Sequence, residues 1–184
     1  MFKSITYGML TKEQVFEKIV LLIDDLKRHG YDYYLYVGTD SQSYTGTNIV
    51  TSILLYTVSK GGIFFTKKRR VMRFSNLSHK IYTEVGESIP IAEELRKYLR
   101  TSGFTVSEVY DKLIVDIDVG EDGPTKQFIN GVTGWVTGSG FKHRIKPESL
   151  ASSRVSDKLS KRGSDRKVAK PHVRPKDKKK KKRG

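Results

Sequence analysis

The sequence of 184 residues has no cysteine, a single tryptophan and no apolar run near the length of a membrane span. The lack of cysteine excludes a disulfide scaffold and any thiolate metal site, and it fits a reducing cytoplasm. Without an apolar stretch of about 20 residues we expect no membrane insertion. Residues 1–20 also lack the order of basic, apolar and small residues that marks a signal peptide. We therefore expect a cytoplasmic protein, in which Mg²⁺ or Mn²⁺ held by oxygen ligands remains possible.

Positive charge is concentrated toward the end of the chain. The net charge is +15, and residues 142–184 hold 18 Lys and Arg against 4 Asp and Glu, which leaves residues 1–141 with a net of +1. So basic a stretch cannot bury enough apolar surface to fold alone, and we expect a domain over 1–163 and a disordered tail over 164–184.

The basic tail favours nucleic acid as the partner, because Lys and Arg placed on phosphates release counterions. Its lysine run includes Lys178, Lys179 and Lys180. A solubilising tail, or an attachment to acidic lipid or a ribosome, would show the same composition, so composition alone leaves these alternatives open.

Apolar spacing and turn residues predict an α/β domain. Three strands joined by short turns predict an antiparallel meander, and the later strands are separated by helices, as in a parallel arrangement. We expect a mixed five-stranded sheet flanked by helices, with one helix before the first strand. The predicted helices cover residues 11–30, 79–100, 125–137 and 148–162, and the predicted strands cover residues 33–39, 48–58, 63–74, 109–119 and 141–145.

Two acids lie at positions that favour a functional role. Asp40 ends the first predicted strand, where an open sheet presents its crevice, although an ordinary turn aspartate also occurs there. Glu84 lies within the apolar stripe of the second long helix, on the same side as Ile91 and Leu95. A buried carboxylate without a partner is costly, so this position predicts a metal ion, a cation partner or a raised pKa. A buried arginine is the structural alternative.

Two further acids lie on the fourth predicted strand. Asp116 and Asp118 are two residues apart and therefore share one face, while the opposite face is apolar. Like charges on one face repel, and a divalent cation would relieve that repulsion. Asp118 could instead only cap the following turn. Asp157, at the margin of the apolar stripe of the last predicted helix, is by itself an ordinary helix acid.

The order of these acids resembles the ribonuclease H-like superfamily, and within it the YkuK-type bacterial family. The resemblance implies a ribonuclease H-like mixed sheet, with three antiparallel strands and then parallel ones. The matching segments are Val37-Gly-Thr-Asp-Ser-Gln42, Ile81-Tyr-Thr-Glu84, Asp118-Val-Gly120 with Gly123-Pro-Thr-Lys126, Gly134-Trp-Val136, Gly138-Ser-Gly-Phe141, Lys146-Pro147 and Ala151-Ser-Ser-Arg-Val-Ser-Asp157.

The same resemblance implies a set of metal-binding, catalytic carboxylates: Asp40, Glu84, Asp118 and Asp157. Asp116 stands where the family often has a histidine, a departure that could add a fifth ligand or only alter the surroundings of the metal. The implied reaction is phosphodiester hydrolysis with two Mg²⁺ or Mn²⁺ ions roughly 3.5–4 Å apart. RNA, an RNA–DNA hybrid and structured DNA are the candidate substrates.

A non-catalytic nucleic-acid-binding or regulatory module on the same fold is the alternative function. Retention of four acids favours the nuclease, because a pure binder gains nothing from carboxylates that repel phosphates. Nothing in the sequence indicates the oligomeric state.

Several basic residues of the domain are candidates for substrate contact. Lys67, Lys68, Arg69 and Arg70 could form a phosphate track or only a solvated strand edge. Lys126 opens a predicted helix near donors suited to a phosphate. Lys146 could approach the substrate or simply flank Pro147. For Trp135 packing is favoured over base stacking, and His143 is the one histidine worth testing as a proton shuttle.

Overall fold

The computed structural model describes residues 1–42 and 47–147. The predicted helix over residues 148–162, with Asp157, lies outside the described residues. So do the predicted domain boundary and the basic tail with Lys178, Lys179 and Lys180. What the sequence predicts for these segments therefore stays a prediction.

The described part of the chain folds into one seven-stranded sheet with helices packed on it. Its strands are β1 (Phe2–Ser4), β2 (Gly8–Leu10), β3 (Tyr33–Gln42), β4 (Thr47–Thr57), β5 (Gly61–Val71), β6 (Leu113–Gly120) and β7 (Lys142–Lys146). Its helices are α1 (Lys12–Arg28), α2 (Leu77–Thr101), α3 (Val106–Lys112) and α4 (Ile129–Gly138), and a single 3-10 turn (Lys126–Phe128) precedes α4.

The strand order is β2-β1-β5-β4-β3-β6-β7. Strands β3, β4 and β5 form the antiparallel meander, and β6 and β7 run parallel to β3. The mixed sheet predicted from the sequence is therefore confirmed, with all five of its strands. The short hairpin β1–β2 adds two strands beside β5, paired to it through Lys3 and Thr66.

Two local features differ from the sequence-based expectation. Strands β1 and β2 have three residues each, too few for an alternating pattern to be recognised. Residues 109–112, expected to begin a strand, instead complete α3. The Thr105 hydroxyl accepts a hydrogen bond from the Glu108 backbone N–H and so caps a short helix, and the strand starts only at Leu113.

The helices bury their apolar stripes against one face of the sheet. Helix α1 begins with the predicted capping box between Thr11 and Gln14. The main core joins apolar side chains of α1, α2 and α4 to the sheet face that carries Leu35, Val37 and Ile53. The opposite face carries a smaller cluster, in which Tyr36, Leu54 and Ile114 are buried.

An opening forms where β3 and β6 stop pairing. Their parallel ladder runs from Leu35 and Leu113 to Gly38 and Asp116, yet β3 continues to Gln42 and β6 to Gly120. The register of β6 with β7 shifts over the same stretch, between Asp116 and Gly120. Helix α2 packs against both β3 and β6. Side chains from both strands and from the helix therefore meet at the carboxyl ends of β3 and β6.

The contribution of α2 to the core can be tested with Leu95→Ala. Leu95 is fully buried, and its truncation should lower the free energy of unfolding by about 2–5 kcal/mol. Leu21→Ala on α1 is the matched control, because Leu21 is 54% exposed and its loss should cost no more than about 0.5 kcal/mol. Urea denaturation measures both, and equal losses would contradict the described packing.

Candidate functional site

Glu84 is a buried carboxylate on α2 that reaches the end of β3. Its side chain is 4% exposed. Its Oε1 accepts hydrogen bonds from the backbone N–H of Ser41 at 2.9 Å and from the Ser41 hydroxyl at 2.6 Å. The ammonium of Lys80, one helical turn earlier, lies 2.7 Å from the same oxygen. The cation partner of this carboxylate is therefore a lysine, and not the arginine considered as the structural alternative.

The charges around Glu84 are strongly coupled. Burial raises the pKa of Glu84 to about 7, helped by the negative charge of Asp40 and opposed by Lys80 and Ser41. Burial lowers the pKa of Lys80, but Glu84, Asp40 and Asp118 raise it by more, so its pKa lies above the usual value. Lys80 is thus a charged side chain, 18% exposed, held among carboxylates.

Asp40 and Asp118 flank the opening on β3 and β6. The ladder that pairs Gly38 with Asp116 would, if continued, place Asp40 beside Asp118 on the same face of the sheet. Asp40 Oδ1 lies 3.9 Å from the Lys80 ammonium. Asp118 Oδ1 lies 2.9 Å from the ammonium of Lys146. That contact is an ion pair without hydrogen-bond geometry, and the buried oxygen accepts no hydrogen bond from any described residue.

Asp116 is a buried carboxylate that is held in an ion pair. Its carboxylate accepts two hydrogen bonds from Arg144 on β7, at 3.1 and 3.3 Å. The Arg144 guanidinium also lies over the ring of Tyr36, 3.6 Å from its centroid. The repulsion expected between Asp116 and Asp118 is therefore relieved by Arg144 and Lys146. These contacts favour a structural role for Asp116 over that of a fifth metal ligand.

A divalent metal ion needs several oxygen donors close together. Across residues 1–42 and 47–147, no group of three His, Asp or Glu side chains gathers closely enough to hold one. The donors are nevertheless of the right kind, since Asp40, Glu84 and Asp118 offer carboxylate oxygens, and Asp118 Oδ1, although ion-paired with Lys146, accepts no hydrogen bond from the part of the chain that the structure describes. These three residues are the ones that would hold the ion, with the Lys80 ammonium now beside Asp40 and Glu84.

The predicted phosphate track on β5 is divided between the two faces of the sheet. Residues 67–70 are all exposed, and alternate side chains of a strand point to opposite faces. Arg69 forms an ion pair with Glu87 on α2, so Lys67 lies on the helix-covered face. Lys68 and Arg70 lie on the other face.

The remaining candidates have ordinary surroundings. Lys126 is exposed and opens the 3-10 turn before α4. Trp135 is 41% exposed and stacks on Tyr82 of α2, with ring centroids 6.2 Å apart, so one side of its ring packs on the helix while part of it faces solvent. His143 shares a hydrogen bond of 3.3 Å with the Thr137 hydroxyl, and burial lowers its pKa.

Sequence reasoning missed the partners of the acids. Lys80 precedes Glu84 by four residues, a spacing that places two side chains together on a helix and could have indicated the pair. Ser41 follows Asp40 directly, but its contact with Glu84 joins residues 43 positions apart. The pairing of Asp116 with Arg144 likewise depends on the register of β6 with β7. No local pattern predicts these two contacts.

The role of Asp116 can be tested with Asp116→Asn. Loss of its charge leaves the partly buried Arg144 without this counterion, so the free energy of unfolding should fall by about 3 kcal/mol. The double variant with Arg144→Met should recover part of that loss. Asp111→Asn is the matched control, because Asp111 pairs with Lys142 at an exposed position and its change should leave the stability close to that of the wild type. Unchanged stability with abolished Mn²⁺ binding would instead make Asp116 a ligand.

Comparisons with known proteins agree with the fold. A family model described as "Ribonuclease H-like" matches residues 14–161. The "Uncharacterized protein YkuK" of Bacillus subtilis (strain 168) is 26% identical over 175 residues, which cover 88% of this chain and 97% of that protein. No solved structure gives a significant match. The chain therefore belongs to the ribonuclease H-like family and is of the YkuK type.

Proposed function

We propose that this protein is a divalent-metal-dependent nuclease that hydrolyses phosphodiester bonds in RNA, RNA–DNA hybrid or structured DNA. One observation carries the proposal: Asp40, Glu84 and Asp118 come from three separate elements and border the same opening, with the Lys80 ammonium in contact with two of them. Carboxylates gathered there would repel a phosphate backbone unless a cation neutralised them. The family to which the chain belongs supports a function on nucleic acid.

Asp40, Glu84 and Asp118 would hold the metal ions, together with Asp157 from the part of the chain that is not described. Two bound Mg²⁺ or Mn²⁺ ions would supply an activated water and would stabilise the leaving oxygen. Hydrogen bonds within the chain hold the proposed metal ligands in position. Ser41 orients the Glu84 carboxylate through two hydrogen bonds, and Ser88 donates to Thr39 on β3. These contacts fix α2 against β3, which keeps the acids at the opening.

Substrate affinity would come from charge and not from base recognition. Lys68 and Arg70 are exposed on the open face of β5, and Lys126 and Lys146 lie at the ends of other elements. With the tail lysines they would contact backbone phosphates, which carry the same charge at every base. We therefore propose low sequence specificity for this protein.

The second candidate function is a nucleic-acid-binding module without catalysis. The observation that favours it is the Lys80 ammonium, which neutralises Asp40 and Glu84 without a metal ion. A fold that balances its acids internally can be stable without a metal. The two functions differ in whether a bound nucleic acid is cleaved.

The nuclease proposal is tested by cleavage assays with Mn²⁺ on hybrid, single-stranded and branched substrates. Asp40→Asn and Asp118→Asn should each lower the rate by about a hundredfold or more, since each removes a charged metal ligand. Asp122→Asn is the control, because Asp122 lies in the exposed turn after β6 and should keep full activity. Circular dichroism confirms that each variant is folded.

Activity that survives both Asp40→Asn and Asp118→Asn would contradict the proposed site. Binding that needs no metal, with no cleavage of any of the substrates, would favour the binding module.

The tail is tested by deletion of residues 171–184, which carry 8 Lys and Arg against 1 Asp. Affinity of the full chain for nucleic acid should fall steeply as salt rises, because each phosphate contact releases counterions. The truncated chain should bind more weakly and with a shallower salt dependence. A full-length variant with serine at positions 178–182 separates charge from length. Equal salt slopes in all three proteins, measured by fluorescence anisotropy, would contradict a role for the tail in binding.

A further inference from the structure

Lys80 is placed differently from an ordinary surface lysine. It is four residues from Glu84 on α2, a spacing at which exposed ion pairs are common and weak. Here, however, Glu84 is 4% exposed and the Lys80 side chain only 18% exposed. The ammonium lies 2.7 Å from Glu84 Oε1 and 3.9 Å from Asp40 Oδ1. Lys80 thus places one positive charge where two proposed metal ligands meet.

The Glu84 oxygen that Lys80 contacts is already saturated. Oε1 receives the Ser41 backbone N–H, the Ser41 hydroxyl and the Lys80 ammonium, whereas a carboxylate oxygen offers about two lone-pair directions. A metal ion on this oxygen must therefore displace a donor. The Ser41 backbone is fixed in the ladder between β3 and β4. The Ser41 hydroxyl can rotate and Lys80 has a long, flexible stem, so either can withdraw, but only the withdrawal of Lys80 also removes a positive charge from the position of the metal ion.

The charge of Lys80 also opposes the binding of a metal ion. An ammonium and a divalent cation held a few ångströms apart repel each other strongly in a partly buried site. While Lys80 neutralises Asp40 and Glu84, the affinity of these acids for a divalent ion is lowered. Either cation satisfies the acids, and each weakens the binding of the other.

We propose that Lys80 is a built-in competitor of the divalent metal ion. Its ammonium occupies the cation position beside Asp40 and Glu84, and the metal ion binds only as Lys80 moves away. The inference rests on the proposed function, because it takes Asp40, Glu84 and Asp118 as metal ligands. Its consequence is regulatory: metal affinity is held low, and the concentration of free divalent ion decides whether the site is loaded.

The test is direct Mn²⁺ binding to the full-length chain, measured by isothermal titration calorimetry and by electron paramagnetic resonance of the free ion. Lys80→Met keeps the length of the side chain but removes its charge, and it should bind Mn²⁺ on the order of ten- to a hundredfold more tightly than wild type. Lys80→Arg keeps the charge and should stay close to wild type. Lys97→Met is the matched control, because it removes one charge from an exposed position of the same helix.

Equal or weaker Mn²⁺ binding by Lys80→Met would overturn the proposal, and so would equal tightening by Lys97→Met. Binding by neither wild type nor Lys80→Met would overturn it together with the metal site. The proposed function fails separately: if Lys80→Met binds Mn²⁺ more tightly but no variant cleaves nucleic acid, the competitor role stands and the nuclease does not. If cleavage depends on the metal but wild type and Lys80→Met bind Mn²⁺ with equal affinity, the nuclease proposal stands and the competitor proposal is wrong.

A measurement on the wild-type chain covers the case in which Lys80→Met does not fold. An amine-reactive acylating reagent is applied with and without saturating Mn²⁺, and the modified lysines are quantified by mass spectrometry. Labelling of Lys80 should rise when the metal ion displaces it, while labelling of Lys97 stays constant. Unchanged or reduced labelling of Lys80 in the presence of bound Mn²⁺ would overturn the proposal.

Discussion

The contact of the Glu84 carboxylate with Ser41 and Lys80 is the interaction on which the rest of the site depends. A carboxylate on the apolar side of α2 is tolerated because Ser41 and Lys80 surround one of its oxygens with donors. In turn, the contact fixes the first turns of α2 against the end of β3. The opening between β3 and β6 therefore has a carboxylate at its inner wall and a lysine that compensates it.

The two faces of the sheet carry different kinds of side chain. One face is covered by α1, α2 and α4 and supplies most of the buried apolar surface. The other carries Asp116 and Asp118, with Arg144 and Lys146 from β7 as their partners. Because β7 runs parallel to β6, it delivers these two cations two residues apart, on the face where the acids stand. Neutralisation of the acids is thus a consequence of strand pairing.

Charge is divided along the chain in a way that suits a protein acting on a polyanion. Residues 1–141 are nearly neutral and hold Asp40, Glu84 and Asp118, three of the four candidate carboxylates, whereas residues 142–184 carry almost all of the excess positive charge. A nearly neutral domain can carry acids without repelling a polyanion over long distances, because screening limits the field of each acid to roughly 8 Å at physiological salt. Binding and chemistry can therefore be supplied by different parts of the chain.

The sequence alone determined the main elements, because periodicity, caps and turn residues act over a few neighbouring positions. The capping box of α1, the meander of β3 to β5 and the shared face of Asp116 and Asp118 all follow from such local rules. Local rules failed at β1, β2 and α3, which are too short to show a period. The ribonuclease H-like resemblance also came from the order of motifs along the chain, and the family match confirmed it.

Only the tertiary structure decided which charge meets which. Glu84 with Ser41, Asp116 with Arg144 and Asp118 with Lys146 are pairs separated by 28 to 43 positions. Their contact depends on where β3 and β6 stop pairing and on the register of β7. A sequence shows that a buried carboxylate needs a partner, since desolvation is a property of the residue and its burial. Which partner it receives is fixed by the packing of distant segments, and here the fold places Lys80 beside Asp40 and Glu84.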